Sequence, residues 1–452
     1  METNETNSLK KLLGEYYIKI RNYYLNKKRI DQEYAQLRVE SIDLLRGIAV
    51  IFSIFLICQG LESKVNPKYM ISTWNGMGFA DLVLPFFILI MGMSIPFFVK
   101  KNHQNGKSVS EISKKVFKRS VILFIIGLFY SILFLASNKV VRLTGPYQLL
   151  AINYVICTMI YLGFLKLKIK NNALTYVFIG IGTFVSLIFT AIAFKNGYSI
   201  EKSIFLLVDK TILNGFSSNS LANPEGILAT FSAVPLTMYG LAIGCILNKK
   251  PIENKKYIKY KRKKMVKEHG WSFENLGADI KSWINLKSIK SLLSNYYRLN
   301  NEAKKIINLL LMGLGFYIVS KILGVWIPLN RNVFSITFVM RVSSYMFFIE
   351  TIAYVLFDII GFEFGTYLLK RIGKNAIFVI LFISLFHRLL NLIKIKSIYT
   401  GTWMGFNNWF TNDFILPISG ADSASAIYGI AVTLVWVLIM NLLEKYELKI
   451  NI

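Results

Sequence analysis

Cysteine is scarce in this sequence and histidine equally so, with three of each in 452 residues. Cys58, Cys157 and Cys245 are odd in number, match no metal or redox spacing and lie inside apolar runs. A disulfide framework, a zinc site and a thiol-redox centre are therefore excluded as organising features, and no metal is expected. The three read as small packing residues. No internal repeat is visible, and the inverted pair of broken helices that marks many secondary transporters is missing. No cleavable signal peptide is seen, since the first apolar run begins after about 40 mostly polar residues.

Apolar residues, by contrast, are abundant. They make up 54% of the chain, and the mean hydropathy of +0.47 is outside the range of ordinary soluble domains. Runs of about 17 to 24 apolar residues recur, each long enough to cross a roughly 30 Å hydrocarbon core. Ten are read, at 44–61, 79–99, 121–136, 147–165, 173–194, 228–247, 306–326, 334–357, 376–393 and 425–443. The expectation is an all-α polytopic transmembrane bundle of about ten helices. Its parts would be a basic amphipathic arm (1–40), six helices (41–248), a basic loop (249–305) and four helices (306–452).

Acidic residues are few, 25 against 53 Lys and Arg, which gives a net charge of +28. With the N-terminus inside, about 39 of those 53 cations fall on the cytoplasmic side and about 10 outside, a strong positive-inside bias. Both termini are expected in the cytoplasm of a multi-pass cell-membrane protein. The charge then serves orientation and contact with anionic membrane lipids, and nucleic acid is not an expected partner. Leu9, Leu12, Leu13, Tyr16, Tyr17, Ile20 and Tyr23 recur at helical spacing, as do Trp283, Leu286, Ile289, Leu293 and Tyr296, suggesting two interfacial helices.

The most informative stretch is Thr73-Trp74-Asn75-Gly76-Met77-Gly78-Phe79-Ala80-Asp81-Leu82-Val83-Leu84-Pro85. A Trp-Asn-Gly turn leads into an apolar helix with an aspartate in its first turn and a proline four residues later. Pro85 has no N–H, so the carbonyl of Asp81 loses its helical partner and a bend is expected there. Asp81 suits a proton acceptor at a helix mouth or a carboxylate favoured by the helix dipole. Trp74 and Asn75 suit a sugar platform with a hydrogen-bonding partner, or an interfacial belt residue and a simple turn. Asp43 and Arg46 share one helical face and suit a phosphate site or a local ion pair. Glu350, deep in the eighth run, is expected to face the bundle interior, near Lys321, Arg388 or a polar cavity. His387 reads as structural, and Glu225, between Pro224 and Gly226, as a helix cap.

Several blocks together resemble the heparan-alpha-glucosaminide N-acetyltransferase family of transmembrane acetyltransferases, in its short prokaryotic form. They are Arg38 to Ala49, Trp74 to Pro85 followed by Ile90 to Pro96, Arg142 to Gln148, Asn223 to Thr230, and Ile327 to Arg331 continuing to Asp358. The resemblance implies acetyl transfer across a membrane. Acetyl-CoA would be the cytoplasmic donor, with its phosphates near Asp43 and Arg46. The acceptor would be an amine or hydroxyl of a cell-surface glycan or amino sugar, met by Asp81, Asn75 and Trp74. Two positions depart from the family: its histidine and asparagine are replaced within Tyr69-Met70-Ile71-Ser72 and Leu56-Ile57-Cys58-Gln59, and Glu350 is the candidate replacement ionisable group. The alternative is a non-catalytic relative that binds or transports a lipid-linked or anionic ligand. A homodimer is the oligomeric state to test.

Overall fold

The computed structural model describes residues 39–61, 65–133, 141–167, 171–195, 198–213, 216, 225–248, 300–360, 362, 365–374 and 376–445. The basic arm up to residue 38 and the loop 249–299 lie outside these, and with them the two expected interfacial helices. One compact unit comprises residues 39–248 and 309–452. Of the other, 1–38 with 249–308, only residues 300–308 are described, as the start of a helix.

Helix α1, Glu40–Ile57, places Glu40 and Asp43 in its first turn, where the helix dipole favours carboxylates. Helix α2, Ala80–Gln104, stays one helix of 25 residues through both Pro85 and Pro96. Helices α3, Val109–Leu133, α4, Pro146–Lys166, and α5, Asn171–Lys195, follow; proline opens α4, where its missing N–H costs nothing. The short α6, Ile204–Leu213, precedes α7, Ile227–Ser232, and α8, Val234–Leu247. Helix α9 is Asn300–Leu323, and α10, Ile336–Ala353, runs into a π-helical turn, Tyr354–Ile360. After α11, Thr366–Lys374, and α12, Ala376–Leu392, strands β1, Lys394–Lys396, and β2, Trp403–Gly405, form an antiparallel hairpin with Ile395 opposite Met404. Three short pieces, α13, Phe406–Phe410, the π-turn Thr411–Ile415 and α14, Leu416–Ser419, lead to α15, Ala424–Lys445.

The all-α bundle is as expected, but the count of spans is lower than ten. Seven helices among the described residues are long and apolar enough to cross a membrane, or eight if the pair Phe406–Ser419 and Ala424–Met440, bent by 115°, is one span. The run at 44–61 became α1, whose 18 residues carry Glu40, Asp43 and Arg46. The run at 376–393 became α12, which has only 17 residues and holds Arg388.

Helix α8 is the centre of its half. All fourteen of its residues are buried, whereas α3 turns Phe117, Ile125 and Phe129 outward. A helix apolar on every side belongs inside a bundle. Its seam with α2 has no room for side chains: a Cβ on Gly92 would lie 2.3 Å from the Thr237 carbonyl oxygen, and one on Gly240 would lie 2.2 Å from that of Leu89. Small residues bring two membrane helices into backbone contact in this way. A second apolar cluster joins Val50 and Ile54 of α1 to Ile372 of α11, Val379 and Ile383 of α12 and Trp436 of α15.

Candidate functional site

Polar residues gather at two places along α1 and α2. The first is the turn at 72–78. Asp81, wholly buried in the first turn of α2, accepts from the Ser72 hydroxyl at 2.6 Å, the Ser72 amide at 3.2 Å and the Gly78 amide at 2.8 Å. Gly76 has φ +121°, a conformation other residues rarely adopt, and its N–H donates to the Leu329 carbonyl at 2.7 Å. The segment 330–332 clasps the turn from the other side. The Asn330 amide donates to Asn75 Oδ1 at 3.0 Å, the Asn332 amide donates to the Trp74 carbonyl at 3.3 Å, and the Trp74 indole N–H donates to the Tyr198 carbonyl. Asn75 itself remains exposed. Burial pushes the Tyr198 phenol up to about 12, so it stays neutral at physiological pH.

Beside the clasp lies a buried ion cluster. Glu225 accepts from Arg331 Nη2 at 2.9 Å through one oxygen and from Arg142 Nη2 at 3.3 Å through the other. Gly226 is held against Asp209, whose carboxylate accepts the Ile227 amide at 2.8 Å and so occupies the N-terminus of α7. A Cβ at Gly226 would lie within 1.8 Å of Asp209 Oδ2, so no other residue fits there unless Asp209 moves.

The second place is the start of α1. Arg46 Nη2 donates to Ser94 Oγ of α2 at 2.7 Å, and Nη1 lies 3.4 Å from Asp43 Oδ1. The Arg46 side chain is 27% exposed, so it meets solvent while anchored on both sides. Asp358, in the π-turn after α10, accepts the Glu40 and Ser41 amides at 2.8 and 3.0 Å, one on each oxygen. Glu350, fully buried, accepts the Ser41 hydroxyl at 2.7 Å, and Lys370 pairs with Glu40 at 3.0 Å.

The structure thus sorts the expected residues into two groups. Trp74, Asn75 and Asp81 share the turn end. Asp43, Arg46 and Glu350 share the other, since Glu350 meets Ser41 and not the expected Lys321 or Arg388. Asp81 and Ser94 are thirteen positions apart on α2, which puts the two groups about 20 Å apart at 1.5 Å per residue. Asp81 is buried, and its carboxylate accepts three hydrogen bonds from its own loop. Arg341 of α10 is buried, donates to Ser320 Oγ at 3.1 Å and lies over the Tyr317 ring. His387 packs 6.0 Å from the Tyr428 ring, within α12.

From sequence, Glu225 reads as a helix cap and Arg331 only as part of a matching block; in the structure Asp209 takes the cap position at α7 and Glu225 pairs with Arg331. The paired residues lie 106 residues apart, and no local spacing links them. Asn330 and Asn332, which hold the turn, went unassigned. Within the two stretches where the resemblance implies an asparagine and a histidine, Gln59 donates to the Phe55 carbonyl at 2.7 Å and Tyr69 packs edge-on against Phe55 at 5.1 Å.

Residues 38–266 match the family model described as heparan-alpha-glucosaminide N-acetyltransferase, catalytic. The matched stretch holds Asp43, Arg46, the 72–81 turn, Arg142 and Glu225. Heparan-alpha-glucosaminide N-acetyltransferase of Homo sapiens is 25% identical over 463 aligned residues, which cover 91% of this chain and 59% of that protein. The Mus musculus protein of the same name is 25% identical over 436 residues, covering 91% and 60%. The chain therefore spans about three fifths of the length of the curated relatives it matches.

Proposed function

The chain belongs to the heparan-alpha-glucosaminide N-acetyltransferase family, and from that premise we propose that it is an integral-membrane acyltransferase moving an acetyl group from cytoplasmic acetyl-CoA to a sugar amine or hydroxyl on the outer side. The observation that carries this reading is the pair of polar sites along one helix. Arg46, fixed by Ser94 and Asp43 yet reached by solvent, suits a phosphate of the donor. The clasped turn presents Trp74 and exposed Asn75 about 20 Å away along α2, where an acceptor enters from the other face.

In the transfer, the acceptor's amine or hydroxyl attacks the thioester carbonyl. The C–S bond breaks, a C–N or C–O bond forms, and the coenzyme leaves as its thiol with the proton the acceptor gives up. The thioester is already activated, so holding the reactants together supplies a large part of the acceleration. Asn75 orients the acceptor by hydrogen bonding and Trp74 offers it an apolar face. Asp81 acts through the turn, keeping both residues in place. Glu350 sits beside Ser41 on the donor side and steadies the start of α1.

The decisive experiment supplies radiolabelled acetyl-CoA to vesicles holding the purified full chain and offers amino sugars on the opposite side. Label on a sugar is the expected result. Coenzyme binding without transfer to any sugar would favour the second reading, a non-catalytic relative that binds or carries a ligand. What favours that reading is that the stretches 56–60 and 69–74, where the resemblance implies the family's asparagine and histidine, contain neither residue. Orientation is tested separately: a reporter at Lys263 is expected in the cytoplasm and one at Gly215 outside, and both on one side would refute the proposed topology.

A further inference from the structure

Buried hydrogen-bond donors are nearly always matched, because a donor taken out of water without an acceptor is a net loss. Arg331 holds an exception. Its side chain is 6% exposed and Nη2 donates to Glu225, but Nε and Nη1 are buried with no hydrogen-bond partner. The guanidinium is not free to withdraw towards water. Asn330 and Asn332 are tied to the 74–75 turn on either side of it, and the Val333 carbonyl accepts from Ser232 Oγ at 2.7 Å. Glu225 does not fill the need either, since its second oxygen is given to Arg142. The Arg142 side chain is 24% exposed, so the cluster has an edge open to solvent.

A fixed, buried guanidinium with donors to spare is built to receive oxygen acceptors from outside the chain. We propose that Arg331, joined to Arg142 through their shared Glu225, binds an oxyanion of the sulfate, phosphate or carboxylate class. Aspartate 209 faces the same corner, but its Oδ1 already accepts the Ile227 amide, and it caps α7. The inference rests on the Arg331 donors alone and holds whether or not the chain transfers acetyl groups. The anion is either a free ion or a group carried by a ligand seated at the Trp74–Asn75 turn, which shares the 330–332 segment with the site.

The test is thermal unfolding of the detergent-purified full chain, with sulfate or phosphate titrated against chloride at matched ionic strength. A parallel arm compares an amino sugar with the same sugar carrying a sulfate ester. Saturable stabilisation of the parent is expected, from the free ions if the site is autonomous and from the sulfated sugar alone if the anion must come on a ligand. Arg331→Lys keeps a charge but loses the fork and Nε, and should weaken the anion's apparent affinity about tenfold. Glu225→Gln removes a competing carboxylate and should tighten it, an outcome that a purely structural ion pair does not produce. No saturable effect in the parent from any of these probes, or equal affinities in the parent and both variants, would overturn the proposal.

Discussion

The two polar ends of α1 and α2 are built on opposite plans. At the turn end, the carboxylates are buried and held by loop residues: Asp81 is wholly buried with three donors, and Glu225 bridges two arginines. At the other end, Arg46, Glu40 and Lys370 keep about a quarter of their side chains in solvent. Partners at the turn end come from loops between helices, so removing one frees a segment. Partners at the start of α1 sit on helices that their own apolar faces hold in place. The turn end should therefore be the fragile one, and the start of α1 should tolerate change while losing affinity.

The largest expected effect breaks the first plan. Asp81→Ala leaves the Ser72 and Gly78 donors without their acceptor at a cost of about 1–3 kcal/mol each, so unfolding should come markedly earlier and transfer should vanish. Thermal unfolding of the parent and variant checks it, and a melting point within a degree of the parent would show that the carboxylate does not hold the turn. Next, Arg46→Ala should weaken acetyl-CoA binding by about 1.5–3 kcal/mol if it holds a phosphate, measured by calorimetry, with little change in stability. Unchanged binding would reduce Arg46 to a helix anchor.

The bundle was legible because hydropathy alone marks apolar runs, and each of the ten runs contains a helix among the described residues. The span count was less so, since charges at the end of α1 and the brevity of α12 decide whether a helix crosses. The turn at 74–81 was visible as a motif, and Asp43–Arg46 as an i, i+3 pair. What held the turn was not visible. Asn330 reaches Asn75 across 255 positions, and no local spacing announces such a contact. The partners of Asp81 were hidden for a related reason: the sequence shows a carboxylate at a helix mouth but not that Ser72 and Gly78 fold back to donate to it.

Two smaller effects sharpen the comparison. Asp358→Asn replaces one of the two oxygens that cap α1 with a donor, and about 1–2 kcal/mol of stability should go, within the range for losing a helix cap. Denaturant midpoints in mixed micelles measure it, and no loss would mean that water caps α1 equally well. The smallest change is Lys370→Met, which removes a partly exposed ion pair and should alter stability by about 0–1 kcal/mol. A larger loss would show that this end, too, is locked.

The cap that Asp358 places on α1 joins residues 318 positions apart in the chain. A ribosome adding about 5–20 residues per second needs on the order of 15–65 s to make the intervening segment. Over that interval the leading amides of α1 lack this acceptor, which arrives only with the turn that follows α10. A translation product that stops before residue 358 lacks the acceptor that caps α1.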